Sequence, residues 1–151
     1  MLLKQVFIKY RNLFKASAKA SCAAEYLRRR LVMEQNILHL HESGIVDTKY
    51  CDHEIIVSLT TYGKRFYDVA ITIESIMEQT MKANRIILWI DNSYKGRPLP
   101  INLQLLQKRG LEVEYCKDIR SYTKLVPALR KYPEAAVITI DDDLIYKYDV
   151  L

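Results

Sequence analysis

Four short apolar runs, spaced by stretches of helical periodicity, constrain this chain more than any other feature. Ile55-Ile56-Val57-Ser58-Leu59, Arg85-Ile86-Ile87-Leu88-Trp89-Ile90, Leu111-Glu112-Val113-Glu114-Tyr115 and Ala136-Val137-Ile138-Thr139-Ile140 all have strand length. The first, a nearly continuous apolar run, is the signature of a strand covered on both faces in a parallel sheet. The third alternates polar and apolar residues, which places it nearer an edge. Between the runs, Val69, Ile73, Ile76 and Met77 repeat at i, i+4, i+7 and i+8, giving a helix that ends near Gln79-Thr80. Leu99 to Arg109 supplies a second helix with Gly110 as its stop signal. A third is expected around Thr123–Lys131, where Pro127 fits only in the first turn. Repeated strand–helix–strand units pair in parallel through crossovers. The expected fold is therefore α/β, a Rossmann-like three-layer sandwich with a mainly parallel sheet, in a domain covering residues 51–151.

Residues 1–50 read differently. They hold nine Lys/Arg against four Asp/Glu, whereas residues 51–151 hold fourteen of each, so the net charge of +5 belongs to this basic segment. A domain proper without cationic excess is not built to bind nucleic acid. Residues 1–43 read as helix in two pieces, divided near the Ala/Ser-rich stretch 16–24 and ending before Gly44, which suits a C-cap. Leu2, Leu3, Val6, Phe7, Tyr10, Leu13 and Phe14 recur at helical spacing with Lys4, Lys9, Arg11 and Lys15 between them. Such a basic amphipathic helix suits packing on the domain or a partner, and equally suits peripheral contact of residues 1–20 with an anionic inner leaflet. No apolar run approaches the roughly 20 residues of a membrane span, and none resembles a secretory signal. Cys22, Cys51 and Cys116 are odd in number and lack CxxC spacing, which fits a reducing, cytoplasmic setting.

Ligands of parallel α/β sheets bind at the C-terminal ends of the strands, and polar residues cluster there. Thr60-Thr61-Tyr62-Gly63-Lys64-Arg65 follows the first strand, with hydroxyls, a ring and two cations ahead of a helix, a setting for an anion. Asp91 and Asp118 follow the second and third strands, and Lys124 starts a helix where it can meet a phosphate. Asp141-Asp142-Asp143 follows the fourth. If the backbone stays extended there, Asp141 and Asp143 point to one side and Asp142 to the other. Two carboxylates on one side offer hard oxygen ligands to Mg²⁺ or Mn²⁺, ions that also take phosphate oxygens.

The order of Ile55–Arg65, Ser75-Ile76-Met77-Glu78-Gln79-Thr80, Arg85–Ile90, Ser121–Leu129 and Ile138–Tyr146 resembles bacterial glycosyltransferases of the GT-A fold. The likeness is to family-2-like enzymes of surface-polysaccharide synthesis and covers about residues 54–148. The aspartate run matches their DxD motif. The resemblance implies that Thr60, Thr61, Tyr62, Arg65 and Asp91 line a nucleotide pocket, that Asp118 approaches the base and Lys124 the diphosphate, and that Asp142 lies near the ribose or sugar. Asp141 and Asp143 would hold Mn²⁺ or Mg²⁺. The implied ligand is a nucleoside diphosphate sugar, with a UDP-sugar foremost, and the implied acceptor a glycan or lipid-linked glycan. GT-A enzymes continue past DxD with an acceptor region and a general base, whereas this sequence stops eight residues after Asp143. The expectation is thus the N-terminal, donor-binding half of such a fold, with no residue assigned as catalytic. A second reading is a non-catalytic adaptor that works through its basic helix. Phosphotransfer by an aspartate, as in haloacid-dehalogenase-like phosphatases, would leave the Thr60 loop unexplained.

Overall fold

The computed structural model describes the backbone of residues 2–151 and the side chains from Lys15 onward. The amphipathic pattern of residues 2–14 therefore lies outside the described side chains. The chain divides into two compact units, Met1–Val32 and Met33–Leu151.

Helix α1 runs without interruption over Leu2–His39. The expected division near residues 16–24 is absent, and the reason is local. Alanine has the highest helix propensity of any residue, and this helix contains neither Gly nor Pro. Gly44 is likewise not its C-cap, since the helix ends five residues earlier. Its lack of a side chain serves close packing instead. A Cβ there would overlap the side chain of Met77, and the Gly44 amide donates to the carbonyl of Arg109 at 2.8 Å.

In the second unit, β1 (Ile55–Thr60), β2 (Arg85–Asp91), β3 (Leu111–Cys116) and β4 (Ala136–Thr139) form one sheet in the order β3-β2-β1-β4. Every neighbouring pair is parallel, with Val57 opposite Ile86 and Ile138, and Leu88 opposite Val113. Ile56, Val57, Ser58 and Leu59 of the central β1 are wholly buried, as a strand covered on both faces requires. β3 is an edge strand, and its alternating Glu112 and Glu114 are only partly buried.

Two apolar clusters define the layers. On one face Val57, Leu59, Ile86, Leu88 and Ile90 pack with Val69, Ile73 and Ile76 of α2 (Val69–Met77) and with Leu103 and Leu106 of α3 (Ile101–Gln107). On the other, Ile56, Ile87 and Trp89 pack with Ala128 of α4 (Val126–Lys131), whose Pro127 lies in the first turn. The result is a Rossmann-like α/β sandwich with its helical segment ahead of it. Met33 and Ile37, in the last turns of α1, are buried with the first cluster. Among the described residues no helix is long and apolar enough to cross a membrane.

An ion pair is sealed inside this unit. Arg109 and Glu74 are 5% and 0% exposed, with Nη1 to Oε2 at 2.5 Å. Arg109 Nε also donates to the carbonyl of Glu42 at 2.9 Å, whereas Glu74 Oε1 has no hydrogen-bond partner. Burial pushes the Glu74 carboxyl up from its ordinary range, against the opposing pull of Arg109.

A candidate anion-binding site at the strand ends

Because all four strands run the same way, the residues that follow them meet at one edge of the sheet. A cavity of about 780 Å³ opens there. It is lined by Thr60, Thr61, Tyr62 and Arg65 from the β1 end, Asp91 from β2, Asp118 and Lys124 after β3, and Asp141 and Asp142 after β4. Of the site residues that the resemblance implies, Asp143 alone is missing from the lining, and Gly63 and Lys64 of the β1 loop also stay outside it. β4 stops at Thr139 and the chain turns at Asp142-Asp143, so the extended geometry that would keep Asp143 beside Asp141 is not maintained. Burial still alternates, with Asp142 8% exposed between two exposed aspartates.

Each aspartate of the run meets a cation. Lys124 Nζ lies 2.6 Å from Asp141 Oδ1. Arg65 forks between two carboxylates, with Nη1 3.0 Å from Asp142 Oδ1 and Nη2 3.1 Å from Asp143 Oδ2. Thr61 Oγ1 donates to Asp142 Oδ2 at 2.7 Å and is itself buried, so the loop after β1 holds both oxygens of the Asp142 carboxylate. Charge-assisted bonds of this kind are short and orient both partners. Tyr62 stands 72% exposed at the rim.

Asp91 and Asp118 also serve the backbone. Asp91 Oδ1 accepts from the Ser93 amide at 2.9 Å, and its Oδ2 from the Asp118 amide at 3.0 Å, which ties the end of β2 to the end of β3. Hydrogen bonds from Ser93, its hydroxyl first, hold the Asp91 carboxyl below the usual carboxylate range. Asp118 Oδ1 accepts from the Arg120 amide at 2.8 Å and from Thr123 Oγ1 at 3.1 Å. Both carboxylates thus cap turns while facing the cavity.

Four lining residues carry no assignment in the sequence reading: Arg120, Ser121, Thr123 and Ile140. The signal lay in the Ser121–Lys124 run itself, of which only the charged Lys124 stood out. Arg120 sits at φ 62, in the left-handed region that a non-glycine residue adopts at a cost, directly at the cavity. The aspartate loop is also held from behind by α2. Thr72 Oγ1 donates to the carbonyl of Asp142 at 3.1 Å, and Ser75 Oγ accepts from the Tyr146 amide at 3.0 Å. Gln79, 3% exposed, donates to the carbonyl of Lys147 and accepts from the amides of Val150 and Leu151 at 2.8 and 3.1 Å. Tyr146 returns its hydroxyl to the front, accepting from the Asp141 amide at 2.9 Å. A third link runs through the sheet. Trp89 Nε1 donates to Ser58 Oγ at 2.9 Å, and Ser58 donates to the carbonyl of Lys124 at 2.6 Å.

For a divalent cation, the available donors are carboxylate oxygens, the hard ligands that Mg²⁺ and Mn²⁺ prefer. Among the described residues, no three His, Cys, Asp or Glu side chains converge as a ready metal cage. Asp141 and Asp143 are exposed and bound to cations of the chain, so an ion would displace Lys124 Nζ or Arg65 Nη2. Comparison with protein-family models, with curated proteins and with solved structures finds no match.

Proposed function

We propose that this cavity takes the nucleoside diphosphate of a sugar nucleotide, a UDP-sugar foremost, and that the unit is the donor-binding half of a GT-A-type glycosyltransferase acting on a glycan or lipid-linked acceptor. The observation that carries this reading is the convergence of Thr60–Arg65, Asp91, Asp118, Lys124 and the aspartate run on one cavity at the C-terminal edge of a parallel sheet. Arg65 and Lys124 supply the charge for a diphosphate, as guanidinium and ammonium groups do. Asp91 and Asp118 offer acceptors toward ribose hydroxyls or a base N–H, Asp142 faces the sugar, and the exposed ring of Tyr62 offers a stacking surface.

Asp141 and Asp143 would hold Mn²⁺ or Mg²⁺, whose remaining positions phosphate oxygens and water complete. When bound, the ion would offset charge building on the leaving diphosphate. The residues of this chain bind and orient the donor, and none is assigned as a catalytic base. A cytoplasmic site of action follows from the same reading.

Calorimetry with a UDP-sugar, in the presence and absence of Mn²⁺, tests the proposal. Metal-dependent binding that weakens in Asp141→Ala and Asp143→Ala is expected. No binding to the parent chain with metal present would refute it.

A further inference from the structure

A line of apolar side chains runs along the rim of the cavity and stays outside it. The 3₁₀ turn Arg120–Lys124 leads straight into α4. The Leu125 amide donates to the carbonyl of Tyr122 and the Leu129 amide to that of Leu125, each at 3.0 Å, so the three residues stand one turn above another. Ile119 lies at the head of this line. Ile119, Tyr122 and Leu129 are 37%, 66% and 45% exposed, and Leu125 is half-buried. None of the four lines the cavity, whereas Arg120, Ser121, Thr123 and Lys124 do. Ala128 is wholly buried in the cluster of Ile56 and Ile87, which fixes the inner side of the segment to the sheet.

The charge of the same segment is one-sided. Lys117, Arg120, Lys124, Arg130 and Lys131 stand against a single carboxylate between residues 117 and 131, that of Asp118, whose Oδ1 accepts from the Arg120 amide and Thr123 Oγ1. Lys124 and Lys131 pair with Asp141 and Glu114. Lys117, Arg120 and Arg130 are exposed and meet no carboxylate among the described residues. We infer that this rim rests on an anionic lipid surface, with Tyr122 and Leu129 dipping into the headgroup boundary and the three cations against lipid phosphates. Cations beside an aromatic and an aliphatic side chain are the combination that a lipid interface takes. A protein partner fits less well, because a line one residue wide and roughly 12 Å long falls far short of the ~800 Å² per partner of a stable complex. The contact sets the mouth of the cavity at the lipid surface. On the donor-binding reading, on which this consequence alone rests, a lipid-linked acceptor presents its glycan there.

Co-sedimentation of the full chain with vesicles tests the contact without any nucleotide, so its failure is distinct from a failure of donor binding. Pelleting with phosphatidylglycerol vesicles and not with phosphatidylcholine is expected. Lys117→Gln/Arg130→Gln should weaken it about 25-fold, at about fivefold for each cation near an anionic surface. Tyr122→Ser/Leu129→Ser should weaken it about tenfold or more, the worth of one large apolar side chain withdrawn from water. The point of contact is read with brominated phosphatidylglycerol, whose acyl chains quench tryptophan on contact. Leu129→Trp should be quenched, while the buried Trp89 and Ile101→Trp, on α3 across the sheet, should not. No pelleting with phosphatidylglycerol, equal pelleting with phosphatidylcholine, or affinity unchanged in Lys117→Gln/Arg130→Gln overturns the inference. So does equal quenching of Ile101→Trp, or an unquenched Leu129→Trp on vesicles that pellet the chain, the outcome if residues 1–20 alone make the contact.

Discussion

Replacing Arg109 by Met should destabilise the α/β unit far more than removing both members of its ion pair. Glu74 is 0% exposed and one of its oxygens already lacks a partner, so Arg109→Met leaves a buried carboxylate without its ion-pair partner. Breaking such a pair from one side costs about 3–5 kcal/mol. For a unit of this size each kcal/mol lowers Tm by about 4 °C, a loss of roughly 12–20 °C. Glu74→Leu/Arg109→Met removes both charges at similar volume and should recover most of that stability or exceed the parent. The pH dependence carries a definite sign. Burial raises the Glu74 carboxyl in the folded chain, and loss of Arg109 removes the largest of the interactions that oppose this, leaving only the weaker pull of Lys82. A carboxyl raised on folding contributes stability below its ordinary value and loses it as pH rises through the folded value. Arg109→Met should therefore regain stability, relative to the parent, as pH falls from neutral into the mildly acid range. Urea unfolding followed through the emission of Trp89, which is buried and the sole tryptophan, measures both effects. A single-mutant cost below about 1 kcal/mol, or a double mutant no more stable than Arg109→Met, would refute the reasoning.

Gly110→Ala should cost about 1–3 kcal/mol in the same assay, because Gly110 sits at φ +108 and a Cβ would lie 2.6 Å from Ile45 Cγ1. Gln79→Ala should release residues 147–151 from α2, read as faster protease cleavage there with the sheet unaffected, since its amide makes three bonds to that segment. Lys124→Ala should weaken uridine diphosphate binding about tenfold or more in calorimetry, the worth of one charge-assisted bond. Unchanged affinity would remove Lys124 from the site.

The sheet was legible because burial on both faces leaves a plain trace. Ile55–Leu59 and Ile86–Ile90 had to be apolar along their length, and β3 announced its edge position by alternating. The strand-end cluster was legible for a related reason, since parallel strands deliver the residues after them to one edge. What escaped depends on contacts distant in sequence. The Glu74–Arg109 pair spans 35 positions and puts two charges where a helix pattern alone suggests solvent. Gly44 reads as a helix stop until Met77 is placed beside it. Residues 16–24 are rich in alanine and serine, which suggests a joint by composition, yet alanine's helix propensity carries α1 through them unbroken. The separation of Asp143 from the cavity follows from a turn that three consecutive aspartates do not encode.

The pairing of Lys124 with Asp141, and of Arg65 with Asp142 and Asp143, makes ligand entry an exchange of partners. A phosphate that draws Lys124 or Arg65 to itself strips a carboxylate of its counter-charge, and a divalent cation that takes the carboxylates releases the lysine and arginine. For the proposed ligands, each event prepares the ground for the other, so cation and nucleotide should bind with positive cooperativity. Linkage makes that coupling reciprocal, the nucleotide tightening the cation by the same factor as the cation tightens the nucleotide. A site already balanced when empty would thus discriminate against either ligand alone, and Arg65→Gln should uncouple the two.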